Sequence, residues 1–161
     1  MAKILVSACL LGNKVRYNGK GLLEDTETFQ ALEQQHELIP LCPEVAGGLP
    51  TPRPPAEVEF GDSAKVFEAN GKVIATTGQD VTAEFISGAE QALTLCKEHN
   101  IHFAVLTESS PSCGRNRVYD GSFSGNKVEG MGLTAHLLEK NGIRVFSQFE
   151  VNELLNQLTE F

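Results

Sequence analysis

Three cysteines each stand just beyond a short apolar run, in the settings Ser7-Ala8-Cys9-Leu10-Leu11-Gly12, Pro40-Leu41-Cys42-Pro43-Glu44 and Ser109-Ser110-Pro111-Ser112-Cys113-Gly114. Loops that leave parallel strands converge on one edge of an α/β sheet, where ligands are usually bound. Three thiolates meeting there would make a soft ligand set for iron–sulfur or zinc, with one coordination position left for chemistry. The intervals between them, 32 and then 70 residues, exclude a finger, a ribbon or a ferredoxin-type run, all of which bind from compact motifs. No Cys-x-x-Cys pair exists, so any such site must be assembled by the fold. The fourth cysteine, Cys96, shares an apolar stripe with Val81, Phe85, Ala89, Ala92 and Leu93 and reads as a small core residue.

Groups able to work beside these thiols lie close by. Glu44 follows Cys42 by two residues, with Pro43 locking the turn. A carboxyl held in a desolvated pocket can deliver or accept a proton near neutral pH, although most glutamates face solvent. Ser109, Ser110 and Ser112 crowd the third cysteine, where hydroxyls and turn amides could hold an anion or merely form the turn beside Pro111. Of five arginines, Arg16, Arg53, Arg115 and Arg117 follow closely on a cysteine loop, and only Arg144 lies elsewhere. In a chain of net charge −8 this predicts guanidinium groups gathered about one place, suited to an anionic ligand or to a negatively charged thiolate-bound cluster. Ordinary surface salt bridging is the alternative. The histidines do not cluster: His36, His99 and His102 sit at element ends, and His136 lies on a helix.

Positioning these residues requires a sheet. The apolar runs from Lys3 to Ala8, His36 to Leu41, Ile101 to Leu106 and Ile143 to Phe146 predict four core strands. Helices are predicted over Asp25 to Gln35, Asp80 to His99 and Leu133 to Lys140, the last stopped by Asn141-Gly142. Ser147-Gln148-Phe149-Glu150 forms a capping box ahead of Val151, Leu154, Leu155 and Leu158 at helical spacing. Alternating strands and helices with right-handed crossovers give an α/β fold, a Rossmann-like parallel sheet with helices on both faces. Lys65 to Ala69 and Lys72 to Thr76 flank Asn70-Gly71 and predict an inserted β-hairpin. Six of the seven prolines fall between Pro40 and Pro55, a segment expected to be a stiff, ordered loop rather than a helix or a central strand. Gly130-Met131-Gly132 resembles a phosphate-cradling turn but lacks the full dinucleotide fingerprint, so a nicotinamide cofactor is not expected.

A length of 161 residues suits one domain over 1–161 with one site region. The balance of 41% hydrophobic and 21% charged residues is that of a soluble globular protein, and no apolar run is long enough to span a bilayer. The first residues read as a strand rather than a secretory signal, which places the chain in the cytoplasm, where thiols stay reduced and cysteines serve metal or redox chemistry. The acidic balance argues against general nucleic-acid binding, which needs a basic face.

Taken together, Ser7-Ala8-Cys9-Leu10-Leu11-Gly12, Val15-Arg16-Tyr17, Cys42 to Leu49, Pro52-Arg53-Pro54-Pro55-Ala56-Glu57, Ser110-Pro111-Ser112-Cys113-Gly114 and Asp120-Gly121 resemble the thiouracil desulfurase family, from near the start of the chain to Ser147. The resemblance implies a 4Fe-4S cluster held by Cys9, Cys42 and Cys113, with one iron free of protein ligands. It also implies a non-redox exchange of C–S for C–O on a small thiolated pyrimidine, free base or nucleotide, with release of sulfide. Glu44 would then be the acid/base group and Ser110 its partner at the substrate, with Arg53, Ser112 and Arg115 binding the substrate. The chain carries Thr107 where the family usually shows a lysine. Two other readings stay open: a non-catalytic metal or redox-sensing module, and a nucleotide-binding α/β domain with buried cysteines.

Overall fold

The computed structural model describes residues 1–12, 16–19 and 26–159. Alternation within β1 (Lys3–Ser7) sends Ile4 and Val6 to one side and Leu5 to the other, and both sides are buried. A strand covered on both faces belongs in the middle of a sheet. β1 pairs in parallel with β2 (Glu37–Leu41) on one side and β5 (Phe103–Leu106) on the other, and β5 pairs in parallel with β8 (Arg144–Ser147). The strand order is therefore β2-β1-β5-β8. Pro40 is tolerated because β2 is an edge strand.

Helix α1 (Glu27–Gln35) and helix α6 (Val151–Leu158) cover the face of Ile4, Val6 and Val105 with Phe29, Leu32, Val151 and Leu154. Helix α4 (Thr82–His99) and helix α5 (Leu133–Lys140) cover the opposite face, where Ala92, Cys96, Ala135 and Leu138 meet Leu5, Ala104 and Val145. This is the expected α/β architecture. Cys96 is buried in that second layer, as the stripe predicts. The Thr26 hydroxyl caps α1 by accepting the Phe29 amide at 3.2 Å, while Asp25, where the helix was expected to start, lies outside the described residues. Ahead of α6, the Glu150 carboxylate accepts the Ser147 amide at 2.9 Å, one arm of the capping box; the Ser147 hydroxyl takes the Phe149 amide at 3.2 Å.

The inserted antiparallel pair is present, but with other partners than Asn70-Gly71 suggests. The segment α3 (Ser63–Phe67) is helical, and β4 (Val73–Ala75) pairs with β3 (Ala56–Val58) instead. Asp62 decides this by capping α3 through its side chain, which accepts the Lys65 amide at 3.2 Å. Asn70 then closes the helix exit, its amide donating to the Lys65 carbonyl. A second pair, β6 (Arg117–Tyr119) with β7 (Lys127–Glu129), follows the third cysteine loop. The proline-rich segment is ordered, but it opens with one helical turn, α2 (Pro43–Ala46), in which Pro43 occupies the first position. Among the described residues no helix is long and apolar enough to cross a membrane.

Candidate active site

The strand order reverses direction at the boundary between β1 and β5, since one chain connection leads from β1 outward to β2 and the next returns to the other side of β1. Such a switch point opens a crevice beyond the carboxyl ends of the strands. A cavity of about 310 Å³ lies there, lined by Cys9, Cys42 and Cys113 together with Arg16, Tyr17, Glu44, Arg53, Ser110 and Tyr119. The three cysteine loops predicted to converge do so.

Each cysteine is held by a different local device. Cys9 rides on a 3-10 turn over Ala8–Leu11, closed by Gly12 in the left-handed region at φ 89. Cys42 precedes α2, and α2 lies directly on α4 because two glycines face one another there. A Cβ on Gly88 would come 2.0 Å from the Pro43 carbonyl oxygen, and one on Gly47 would come 2.0 Å from that of Glu84. Cys113 sits in a turn whose amides, those of Ser112 and Cys113, both donate to the Ser110 hydroxyl oxygen at 3.1 Å. The start of α5 fastens the same turn: the amides of Gly132, Leu133 and Thr134 donate to the carbonyls of Gly114, Pro111 and Ser112. Gly130-Met131-Gly132 therefore spends its helix-start donors on the cysteine loop instead of on a phosphate.

The sulfurs share one electrostatic environment. Burial raises the Cys9 thiol above its ordinary value, the Thr107 hydroxyl and Arg16 pull it down, and Cys42 pushes it up. Burial likewise raises Cys113, opposed by a hydrogen bond from Ser7 and reinforced by Cys42, Cys9 and Glu44. Neighbouring thiols thus oppose the ionisation of Cys9 and Cys113, and a cationic core bound among them would favour these thiolates instead. Cys96 belongs to no such group, and burial alone pushes it up to about 11. Among the described residues no three His, Cys, Asp or Glu side chains converge closely enough to hold a single metal ion.

Glu44 is fixed at both oxygens. Arg53 Nε donates to Oε1 at 3.1 Å, and the Ser112 hydroxyl donates to Oε2 at 3.2 Å. The Arg53 and Glu44 side chains are only 4% and 14% exposed, so this ion pair works in a poorly screened setting. Arg53 is anchored in turn by the Pro50 carbonyl and the Thr51 hydroxyl, both at 3.1 Å, and its Nη2 lies 4.0 Å from Cys42 Sγ. The stiff proline-rich loop thus returns a cation to the Cys42 turn.

The predicted arginine grouping separates into two parts. Arg16 and Arg53 line the cavity, whereas Arg115 and Arg117 do not. Arg115 Nε donates to the Val145 carbonyl at 2.9 Å and pairs with Glu139 at 3.1 Å, so its charge is spent on α5 and β8. Arg117 is exposed on β6. Ser112 is buried behind Glu44 and does not line the cavity, and Ser110 does. His136 stacks on Phe67, with ring centroids 5.7 Å apart, away from the thiols.

Residue-type reasoning did not single out Ser7, Glu108 or Tyr119. Glu108 Oε1 accepts the amides of Ser109, Arg115, Asn116 and Arg117 at 2.9 to 3.2 Å, and Oε2 accepts the Asn116 side-chain amide at 2.8 Å. Burial works against its ionisation, but these donors outweigh burial and hold its carboxyl below the usual carboxylate range. It organises the loop that carries Cys113. The available signal was its place just past a buried strand, the same signal that marks the cysteines.

This geometry coincides with known proteins along its whole length. The sequence matches the 2-thiouracil desulfurase family over residues 4–150. It is 41% identical over 152 residues to the uncharacterized protein YbbK of Bacillus subtilis (strain 168), spanning 94% of this chain and 99% of that one. The fold superposes with a TM-score of 0.90 on a solved structure of the 4Fe-4S-dependent thiouracil desulfidase TudS, at 46% identity and with 100% of both chains covered. With a cavity ringed by the cysteines of three separate loops and a family match that spans all three, the chain belongs to the 2-thiouracil desulfurase family.

Proposed function

We propose that this chain is an iron–sulfur-dependent desulfurase that converts a thiolated uracil to uracil with release of sulfide. Cys9, Cys42 and Cys113 would hold a 4Fe-4S cluster. Three thiols lining one cavity are the soft donor set that such a cluster takes. When bound, the cluster supplies a Lewis acid for the thiocarbonyl sulfur at the iron that no cysteine reaches.

The chain's own residues supply the rest. Water adds its oxygen to the ring carbon, the C–S bond breaks, and sulfur leaves as sulfide, so no electrons are gained or lost. Glu44, held ready by Arg53 and Ser112, takes the proton of the attacking water and returns it to the departing sulfur or the ring. The Ser110 oxygen accepts two backbone amides, which leaves its proton free to donate to a ring heteroatom. Arg53 and Ser112 serve the substrate by holding Glu44 in place, and Tyr17 and Tyr119 supply aromatic surface in the cavity for a flat pyrimidine.

The observation that carries this reading is the meeting of three distant thiols and one anchored carboxylate on a single cavity. Anaerobic reconstitution with iron and sulfide should give a brown protein that turns over 2-thiouracil, 4-thiouracil or 4-thiouridine monophosphate. Single changes of Cys9, Cys42 and Cys113 to serine should abolish both colour and turnover. A colourless protein with stoichiometric zinc and no turnover would refute the assignment.

A further inference from the structure

The two strands that flank the switch point end in hydroxyl residues, Ser7 at the end of β1 and Thr107 directly after β5. Both are buried, at 2% and 9% exposure, and both line the cavity that holds the thiols. Thr107 Oγ1 lies 3.0 Å from Cys9 Sγ. The Thr107 amide donates to Ser7 Oγ at 3.0 Å, so the two strand ends are tied together beside the sulfurs. On the third sulfur, Arg53 Nη2 stands 4.0 Å from Cys42 Sγ.

Donor direction follows from proton counting. A metal-bound thiolate carries no proton, so in the Thr107–Cys9 contact only the hydroxyl can donate. We propose that the Thr107 hydroxyl, held in place by its amide bond to Ser7, donates to the cluster-bound sulfur of Cys9, as Arg53 does at Cys42. This rests on the three-cysteine reading above. Hydrogen bonds to ligand sulfur draw charge from the irons and raise the cluster's reduction potential. The same withdrawal makes the open iron a better acceptor for sulfur.

The test is an anaerobic redox titration of the reconstituted cluster, followed by electron paramagnetic resonance, with iron content measured on the same samples. Thr107→Val keeps the shape and removes only the hydroxyl. Its midpoint potential should fall below that of the wild type. Thr107→Ser restores a hydroxyl and should match the wild type. A fully loaded Thr107→Val protein with an unmoved potential overturns the proposal, as does a Thr107→Ser protein shifted as far as Thr107→Val. If Thr107→Val fails to retain iron, retention by Thr107→Ser supports the donor role and loss from both overturns it. A wild type that takes up no iron overturns the cluster reading and this proposal with it, whereas a loaded wild type beside unmoved variants overturns this proposal alone.

Discussion

Replacing Gly88 with alanine should damage catalysis as well as stability. The new methyl carbon would stand 2.0 Å from the Pro43 carbonyl oxygen, whereas ordinary contact begins at 3.4 Å, so α2 must retreat from α4 by about 1.4 Å. Alanine is the better helix former by about 1 kcal/mol. Overpacking costs about 1–3 kcal/mol and more where the atoms met are backbone, as they are at Pro43, so stability falls despite the better helix propensity. The retreat is carried directly to Cys42 and Glu44, which bracket Pro43, and a misplacement of about 1 Å costs on the order of a hundredfold in rate. The assay is anaerobic loss of thiocarbonyl absorbance, normalised to iron content, beside thermal unfolding followed by circular dichroism. The exposed Glu90 in the same helix serves as control, and Glu90→Ala should shift stability by no more than about 0.5 kcal/mol and leave the rate alone. A Gly88→Ala protein with wild-type kcat/KM would refute the argument that this glycine contact places the carboxylate.

Ser112→Ala removes one of the two anchors of Glu44, and since a hydrogen bond to a charged group contributes about 1.5–3 kcal/mol, kcat/KM should fall about ten- to a hundredfold with cluster content unchanged. An unaltered rate would show that Arg53 alone positions the carboxylate. Cys96→Ala should keep both colour and turnover, and in the intact chain the Cys96 thiol, with a pKa of about 11, should resist iodoacetamide at pH 8, where about one molecule in a thousand is thiolate. Loss of colour in that variant would count against the three-cysteine set. Burial holds the pKa of His136 below the ordinary histidine value of 6.5, aided by Lys140, so the ring is neutral in the folded chain and binds protons more readily when unfolded. Its contribution is therefore complete above about pH 6.5 and lost as pH falls through the lowered folded value. Unfolding temperature should drop between pH 7.5 and 5.5, and His136→Phe should flatten that slope; an identical slope would remove this histidine as the cause.

The amino-acid sequence alone determined the elements that repeat a simple period. The short apolar runs at Lys3–Ser7 and Phe103–Leu106, and the helical stripe that buries Cys96, are local patterns in which apolar side chains must find a covered face. It also pointed to three cysteines at one edge, because each lies in the loop that leaves a parallel strand, and parallel strands end together. Which side chains touch there was decided by the tertiary structure. Strand order placed β5 beside β1 and so brought Thr107 to Cys9 across 98 positions of sequence and to Ser7 across 100. The same packing turned Arg115 toward Glu139 and away from the cavity, gave Ser112 to Glu44, and paired β4 with β3 once Asp62 had capped α3. Periodicity specifies the face a residue presents, whereas a charge or hydroxyl takes the nearest complementary partner, and nearness across the chain exists only after the strands are ordered.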